Sequence, residues 1–384
     1  MPRRNPNQLR LLDTTLREGE QFADARFSSA DRIRLALALD ALGVDELEVP
    51  SPAVSPNAAA QLRDIIQLEL SADVRAHVRC RPADIQLALR AGAQGLNLFL
   101  GTSPALVRYS LRRTWSEQAA QIRESVALAV SSGAFVRFSA EDAFRTSRAR
   151  LFAAFDVALE SGARRLGIPD TVGTATPDAV GSTVRALCRR YPGVSLEFHG
   201  HNDTGCSVAN SLAAWQAGAD CLDVTVLGIG ERVGITSLGG LLARLYTVAP
   251  DAVSRYRFDL LPALDAQVAA LTGMTVPFNQ PLTSAHAFTH VAGIHTNAVL
   301  RSPGTYEVID PATVGRSRVI AVGSRLTGRH AVANYLESLL GRPPDGREVV
   351  AATSALKDCA EDRRLDRDVS AAVVTAALQA LGRS

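Results

Sequence analysis

The chain has 384 residues, 47% hydrophobic and 21% charged, which excludes a disordered polymer and is too much for one ordinary core. A formal net charge of +2, with no basic tract interleaved with aromatics, argues against a nucleic-acid partner. No run approaches the roughly 18–20 apolar residues of a membrane span. Residues 1–8 are polar with no apolar secretory core, and the five cysteines are scattered without CxxC spacing, so reduced thiols and a cytoplasmic location are expected.

Eight short apolar, β-branched runs recur at residues 9–14, 44–49, 74–78, 95–100, 135–139, 165–168, 194–199 and 221–227. Several alternate little, as strands covered on both faces do. Between and after them lie 29–42, 57–68, 82–91, 115–130, 147–160, 177–191, 207–217 and 237–248, most with apolar residues every three or four positions, the helical period. Gly43, Gly92, Gly133, Gly162, Gly193 and Gly218 follow six of these segments, where a left-handed cap stands. Eight β-then-α units predict an α/β fold, a (β/α)8 TIM barrel over residues 1–250. A doubly wound sheet would need fewer units and usually a glycine-rich first turn.

The pattern changes after residue 250. Residues 251–270 read as one more helix, 275–282 and 301–316 as loops, and 331–340 with 348–381 as three helices. The expected division is a linking subdomain, 251–330, that covers an active site, and a helical C-terminal subdomain, 331–384. Apolar faces at 331–340 and 349–356 need a surface to bury, which points to an oligomer.

Chemistry in such a barrel sits at the C-terminal ends of the strands, and polar residues collect there. Arg17 and Glu18 follow the first run. Glu48 lies near the end of the second, His77 of the third, Arg137 and Ser139 of the fifth. Asp170 and Thr171 follow the sixth, His199 and His201 end the seventh, and Glu231 and Arg232 follow the eighth. Singly, each has a plain alternative: a rim charge, a surface ion pair or a turn cap. His199 and His201 are two apart on a strand and so face one point. With Glu18 they make a three-ligand set that leaves positions open on a divalent metal, Zn²⁺, Mn²⁺ or Mg²⁺. Asp13 is a second carboxylate, read as structural. A 2-oxo acid suits such a site through its carboxylate and keto oxygen, and Arg17 can stabilise a developing alkoxide.

Two stretches, Asp13-Thr14-Thr15-Leu16-Arg17-Glu18-Gly19-Glu20-Gln21 and His199-Gly200-His201-Asn202-Asp203, resemble the DRE-TIM metallolyases. Leu227-Gly228-Ile229-Gly230-Glu231-Arg232 and Ser324-Arg325-Leu326-Thr327-Gly328-Arg329-His330 narrow the resemblance to the isopropylmalate/homocitrate synthase family. It implies a Claisen-like condensation of acetyl-CoA with a 2-oxo acid, then thioester hydrolysis. It also implies a metal on Glu18, His199 and His201, and an acceptor acid held by Arg17, His77, Arg137, Ser139 and Thr171. A cation at Arg137 favours an acceptor with a second anionic end, 2-oxoglutarate first among them, which would give homocitrate and CoA. Departures at Pro50-Ser51-Pro52, Pro169 and Val233 keep another dianionic acceptor open, phosphonopyruvate or oxaloacetate; 2-oxoisovalerate as acceptor and a carbon–carbon lyase on the same scaffold are the further alternatives. His295, ahead of His290, is the candidate base for the acetyl methyl group, with Glu48 as its partner. His286 and His330 read as structural or surface. The family also implies a homodimer with shared active sites.

Overall fold

The apolar runs are the eight strands of a closed, all-parallel barrel. They are β1 (Arg10–Asp13), β2 (Glu46–Val49), β3 (Asp73–Arg79), β4 (Gly95–Gly101), β5 (Phe135–Glu141), β6 (Arg165–Asp170), β7 (Ser195–Gly200) and β8 (Cys221–Val224). β1 pairs with β8, with Leu12 opposite Asp223, and this closes the ring. The computed structural model describes residues 9–382, so the polar stretch 1–8 lies outside them. The described chain falls into two compact units, the first running to Thr283 and the second starting at Ser284.

Eight helices surround the strands: α1 (Ser29–Leu42), α2 (Ala58–Ile66), α3 (Pro82–Arg90), α4 (Trp115–Ser131), α5 (Arg148–Glu160), α6 (Pro177–Arg190), α7 (Ser207–Ala217) and α8 (Leu238–Val248). Ser28 with Asp31, and Thr114 with Glu117, form capping boxes that start α1 and α4. The six glycines singled out in the sequence all have positive φ. Leu35, Leu39 and Leu42 turn the buried side of α1 to the core, each worth roughly 1.5–3 kcal/mol of apolar burial. The eighth strand stops at Val224, earlier than its apolar run, because Leu227 turns left-handed (φ 57°) inside a single helical turn. The one helix expected over 251–270 is broken in two. Pro250–Val253 is a short turn, and α9 (Leu261–Leu271) begins afresh. Between them the Arg257 N–H bonds Leu42 O (2.8 Å), outside any helical ladder, and Pro262 fits only a helix start.

The barrel interior is charged along its length. Arg10, Arg75 and Arg165 converge on Glu46 at 2.8, 2.7 and 2.7 Å. Arg165 also reaches Glu197 at 3.2 Å. Arg137 joins Glu197 (2.7 Å) to Glu48 (3.1 Å), and Arg17 joins Glu48 (2.6 Å) to Glu18. Inward positions two apart on a strand supply successive levels, as Glu46 and Glu48 or Glu197 and His199 do.

The second unit has its own core. A two-stranded parallel pair, β9 (Thr289–His290) and β10 (Val319–Ile320), accompanies helix α10 (Gly293–Arg301). Helices α11 (Arg329–Leu340), α12 (Gly346–Cys359) and α13 (Arg367–Ala380) follow. The apolar faces expected to need an outside surface are buried within the unit: Val332, Leu336, Ala352 and Leu356 pack with Val374 and Leu378 of α13. Gly293 and Gly328 lie in backbone contact, since a Cβ on Gly328 would stand 2.5 Å from the Gly293 Cα. That contact brings the stretch around Ser324–His330 against the start of α10. No helix among the described residues is long and apolar enough to cross a membrane.

Candidate active site

A cavity of about 370 Å³ opens at the C-terminal end of the barrel. Arg17, Glu18, His77, Arg137, Ser139, Thr171, His199 and His201 all line it, with Phe99, Glu141, Glu231 and Arg232 beside them. A larger cavity, about 650 Å³, lies at the opposite end around Arg10, Asp45 and Arg255. Its two arginines are already bonded to Glu46 and Asp45, and the chemistry gathers in the smaller one.

Glu18, His199 and His201 offer one ligand atom each, all within 4.8 Å of one another. The two Nε2 atoms are 3.4 Å apart, and His201 Nε2 is 4.0 Å from Glu18 Oε1. Burial holds both imidazoles down to about 4, so they are neutral near pH 7, the form that binds a cation. Burial alone would raise the Glu18 carboxyl, but the Arg17 guanidinium and the two histidines hold it at about 2. An anion beside two neutral nitrogens is the donor set a divalent cation takes. His199 Nδ1 lies 2.9 Å from Asp223 Oδ2, which fixes the ring. The loop after β8 also serves Glu18, whose Oε1 accepts the Glu231 N–H at 2.9 Å. That loop is tight: a Cβ on Gly234 would fall 1.8 Å from Gly228 O. Arg232 pins it with a fork onto Asp203 (2.6 and 2.9 Å) and a bond to Thr171 O.

Glu48 is fully buried and does not line the cavity. One of its oxygens meets His77 Nδ1 (3.2 Å) and accepts from Asn97 (2.7 Å) and Arg137 (3.1 Å), and the other accepts from Arg17 (2.6 Å). These partners hold its pKa well below the carboxylate range despite burial. The geometry thus places Glu48 directly beneath Arg17, His77 and Arg137, which line the cavity. Arg137 lines the cavity but is not a free cation, because Glu48 and Glu197 already flank it. His77 stacks on Phe99 at 4.4 Å, and burial and Arg17 bring it down to about 4. The Thr171 hydroxyl accepts the Asp142 N–H at 2.9 Å and keeps its proton to donate. Asp170 holds the next loop through the N–H groups of Thr174 and Ala175, and Asp13 holds Thr15, so both have structural places.

His295 belongs to the second unit, exposed on α10, its ring 4.3 Å from that of Tyr306. His290 bonds Glu307 at 2.9 Å. Asn97, Glu197 and Asp223 were not singled out from the sequence. Each stands inside an apolar strand run, and a polar side chain there must be matched by another.

Residues 8–267 match the HMGL-like family model, and residues 282–364 match the homocitrate synthase post-HMGL domain-like model. The chain is 40% identical to the cytosolic isozyme of homocitrate synthase from Saccharomyces cerevisiae, over 95% of this chain and 85% of that one. It is 42% identical to the mitochondrial homocitrate synthase of Yarrowia lipolytica, over 87% and 75% respectively. Hydroxymethylglutaryl-CoA lyase from Pseudomonas aeruginosa superposes with a TM-score of 0.63 over 73% of this chain and 96% of that one, at 19% identity, a likeness of fold. The chain is an enzyme of the HMGL-like family, on the branch that carries the homocitrate synthase post-HMGL domain.

Proposed function

We propose that this chain condenses acetyl-CoA with 2-oxoglutarate and hydrolyses the thioester, giving homocitrate and free CoA. One observation carries the reading: the Glu18, His199 and His201 cluster opens into the same cavity as Arg17 and Arg137. A divalent cation on those three ligands would supply Lewis acidity toward the keto oxygen, and Zn²⁺, Mn²⁺ and Mg²⁺ all accept this donor set. The acceptor is oriented by Arg17, His77, Arg137, Ser139 and Thr171. Loss of a proton from the acetyl methyl group leaves a carbon nucleophile that attacks the keto carbon. Arg17 stabilises the negative charge that develops on oxygen, and water then releases the CoA thiol.

His295 is proposed as the base for that proton. We also propose a homodimer in which His295 serves the site of the partner, supported by the apolar side chains exposed near it in the second unit, Ile294 (79%) and Val308 (80%). The relatives' names divide between cytosolic and mitochondrial isozymes. The cytoplasm is proposed here, in keeping with five free cysteines.

Release of CoA thiol from acetyl-CoA, measured with 2-oxoglutarate, oxaloacetate, phosphonopyruvate and 2-oxoisovalerate after metal stripping and reloading, tests the reading. The highest kcat/KM is expected with 2-oxoglutarate. A metal-loaded enzyme that releases no thiol with any of the four overturns it.

A further inference from the structure

The catalytic end of the barrel carries a basic surface that the acceptor cavity does not use. The segment 102–114, between β4 and α4, contains Arg108, Arg112 and Arg113 and no acidic residue; all three are exposed. Arg81, just before α3, is exposed as well. Gln121 of α4 ties the two loops together, accepting from Arg113 Nη1 (2.6 Å) and donating to Cys80 O (2.5 Å). Other arginines on this rim are engaged: Arg79 by Asp84, Arg145 by Asp142 and Arg232 by Asp203. Arg113 lies near Glu117, whose carboxylate caps α4 through Thr114. Arg81, Arg108 and Arg112 pair with no carboxylate among the described residues.

The segment has a defined shape. Val107–Leu111 forms a π-turn, and Arg112 ends it in the left-handed region at φ 51°. Both features are uncommon and recur at functional sites. Tyr109 is 69% exposed, with the Arg108 guanidinium 5.1 Å from its ring centre. Thr102, where the segment starts, bonds Glu141 O (3.1 Å), and Glu141 lines the acceptor cavity. The patch therefore stands beside that cavity's mouth.

Unpaired guanidinium groups bind phosphates, and an exposed aromatic beside them offers a stacking face to a purine. Resting on the acyl-CoA reading above, we propose that Arg81, Arg108 and Arg112 bind the 3′-phosphate and diphosphate of CoA, with Tyr109 against the adenine. The patch then selects CoA thioesters over thioesters that lack the nucleotide.

Calorimetry with CoA and with pantetheine, on the wild-type chain and on Arg108→Glu/Arg112→Glu, tests this without turnover. The wild type should prefer CoA by at least tenfold, and the variant should lose that preference. Its KM for acetyl-CoA should rise at least tenfold, with an unchanged KM for 2-oxoglutarate and an unchanged melting temperature. A variant that binds CoA as the wild type does, or a wild type that binds pantetheine equally well, overturns the assignment. A chain that prefers CoA but condenses no 2-oxo acid would defeat the proposed reaction and leave the patch standing.

Discussion

Asp223 Oδ2 lies 2.9 Å from His199 Nδ1, so the imidazole's other nitrogen is the one turned toward His201 and Glu18. Asp223 is fully enclosed, and burial pushes its carboxyl up to about 8. A cation on Nε2 draws positive charge onto the ring, which favours the ionised form of Asp223 and strengthens an Nδ1–H bond to it. Asp223→Ala should therefore weaken cation binding about 10–100-fold, read by competition with a chelating dye. Unchanged affinity would mean that Asp223 serves the fold alone.

Glu48 meets four side chains at once, two of them the guanidinium groups of Arg17 and Arg137. Glu48→Gln removes the anion from beneath Arg17 and Arg137, and breaking a buried ion pair costs about 3–5 kcal/mol. Urea unfolding should show a loss of that size, together with a raised KM for the acceptor acid. A loss under about 1 kcal/mol would show that the network tolerates the missing charge.

Arg137→Gln should raise the KM for 2-oxoglutarate at least tenfold, the worth of about one charge-assisted hydrogen bond. The KM for acetyl-CoA should move little. Equal changes in both would place Arg137 in general support of the cavity instead of in acceptor recognition.

Asp265, which does not line the cavity, supplies a pH test. It is buried on α9 and bonded by Thr283 and Gln280, and burial raises its carboxyl from 3.8 to about 6. The folded chain thus holds this proton more tightly than the unfolded chain does. The associated stability is full below about 3.8 and is lost as pH rises through about 6. Asp265→Asn keeps an acceptor for both neighbours and carries no charge. It should be more stable than wild type at pH 7.5 by on the order of 2 kcal/mol, with the gap closing toward pH 4. Parallel urea midpoints across that range would expose a wrong sign directly.

The shared site proposed for a homodimer is tested by mixing two inactive chains, His295→Ala and His201→Ala. Co-refolded, they should regain part of the activity, because some mixed dimers hold one intact site. Dead mixtures in which mixed dimers are demonstrably present would put His295 in its own chain's chemistry, or in none.

The strands were legible because each is a short apolar run, and the His199 and His201 pair because its members stand two residues apart. The floor of the cavity was not. Arg17 lies 31 residues before Glu48 and Arg137 lies 89 after it, so no local spacing relates them. Asp223 hides in Cys221–Val224, where all four residues are buried and the pattern reads as plain core. The clue was present in the composition of the strands themselves. Glu46, Arg75, Asn97, Arg165, Glu197 and Asp223 interrupt apolar runs, and a buried polar or charged group must find a buried partner. The division of 251–270 into two helical pieces depended on Arg257 reaching Leu42, a contact across more than 200 residues that periodicity cannot report.

The alternating charges that run through the barrel, from Arg10 to Glu18, bear on how such an enzyme changes its substrate. Arg137 is held between Glu48 and Glu197, so losing its charge leaves Glu48 to Arg17 and Glu197 to Arg165 alone. Mutations in one network do not add independently. Selectivity for the acceptor should therefore drift by paired replacements, with a carboxylate at 48 or 197 lost alongside the cation at 137. A library that randomises 137 alone should return enzymes that have lost acceptor affinity and some stability, whereas one that varies 48, 137 and 197 together has a path to new acceptors.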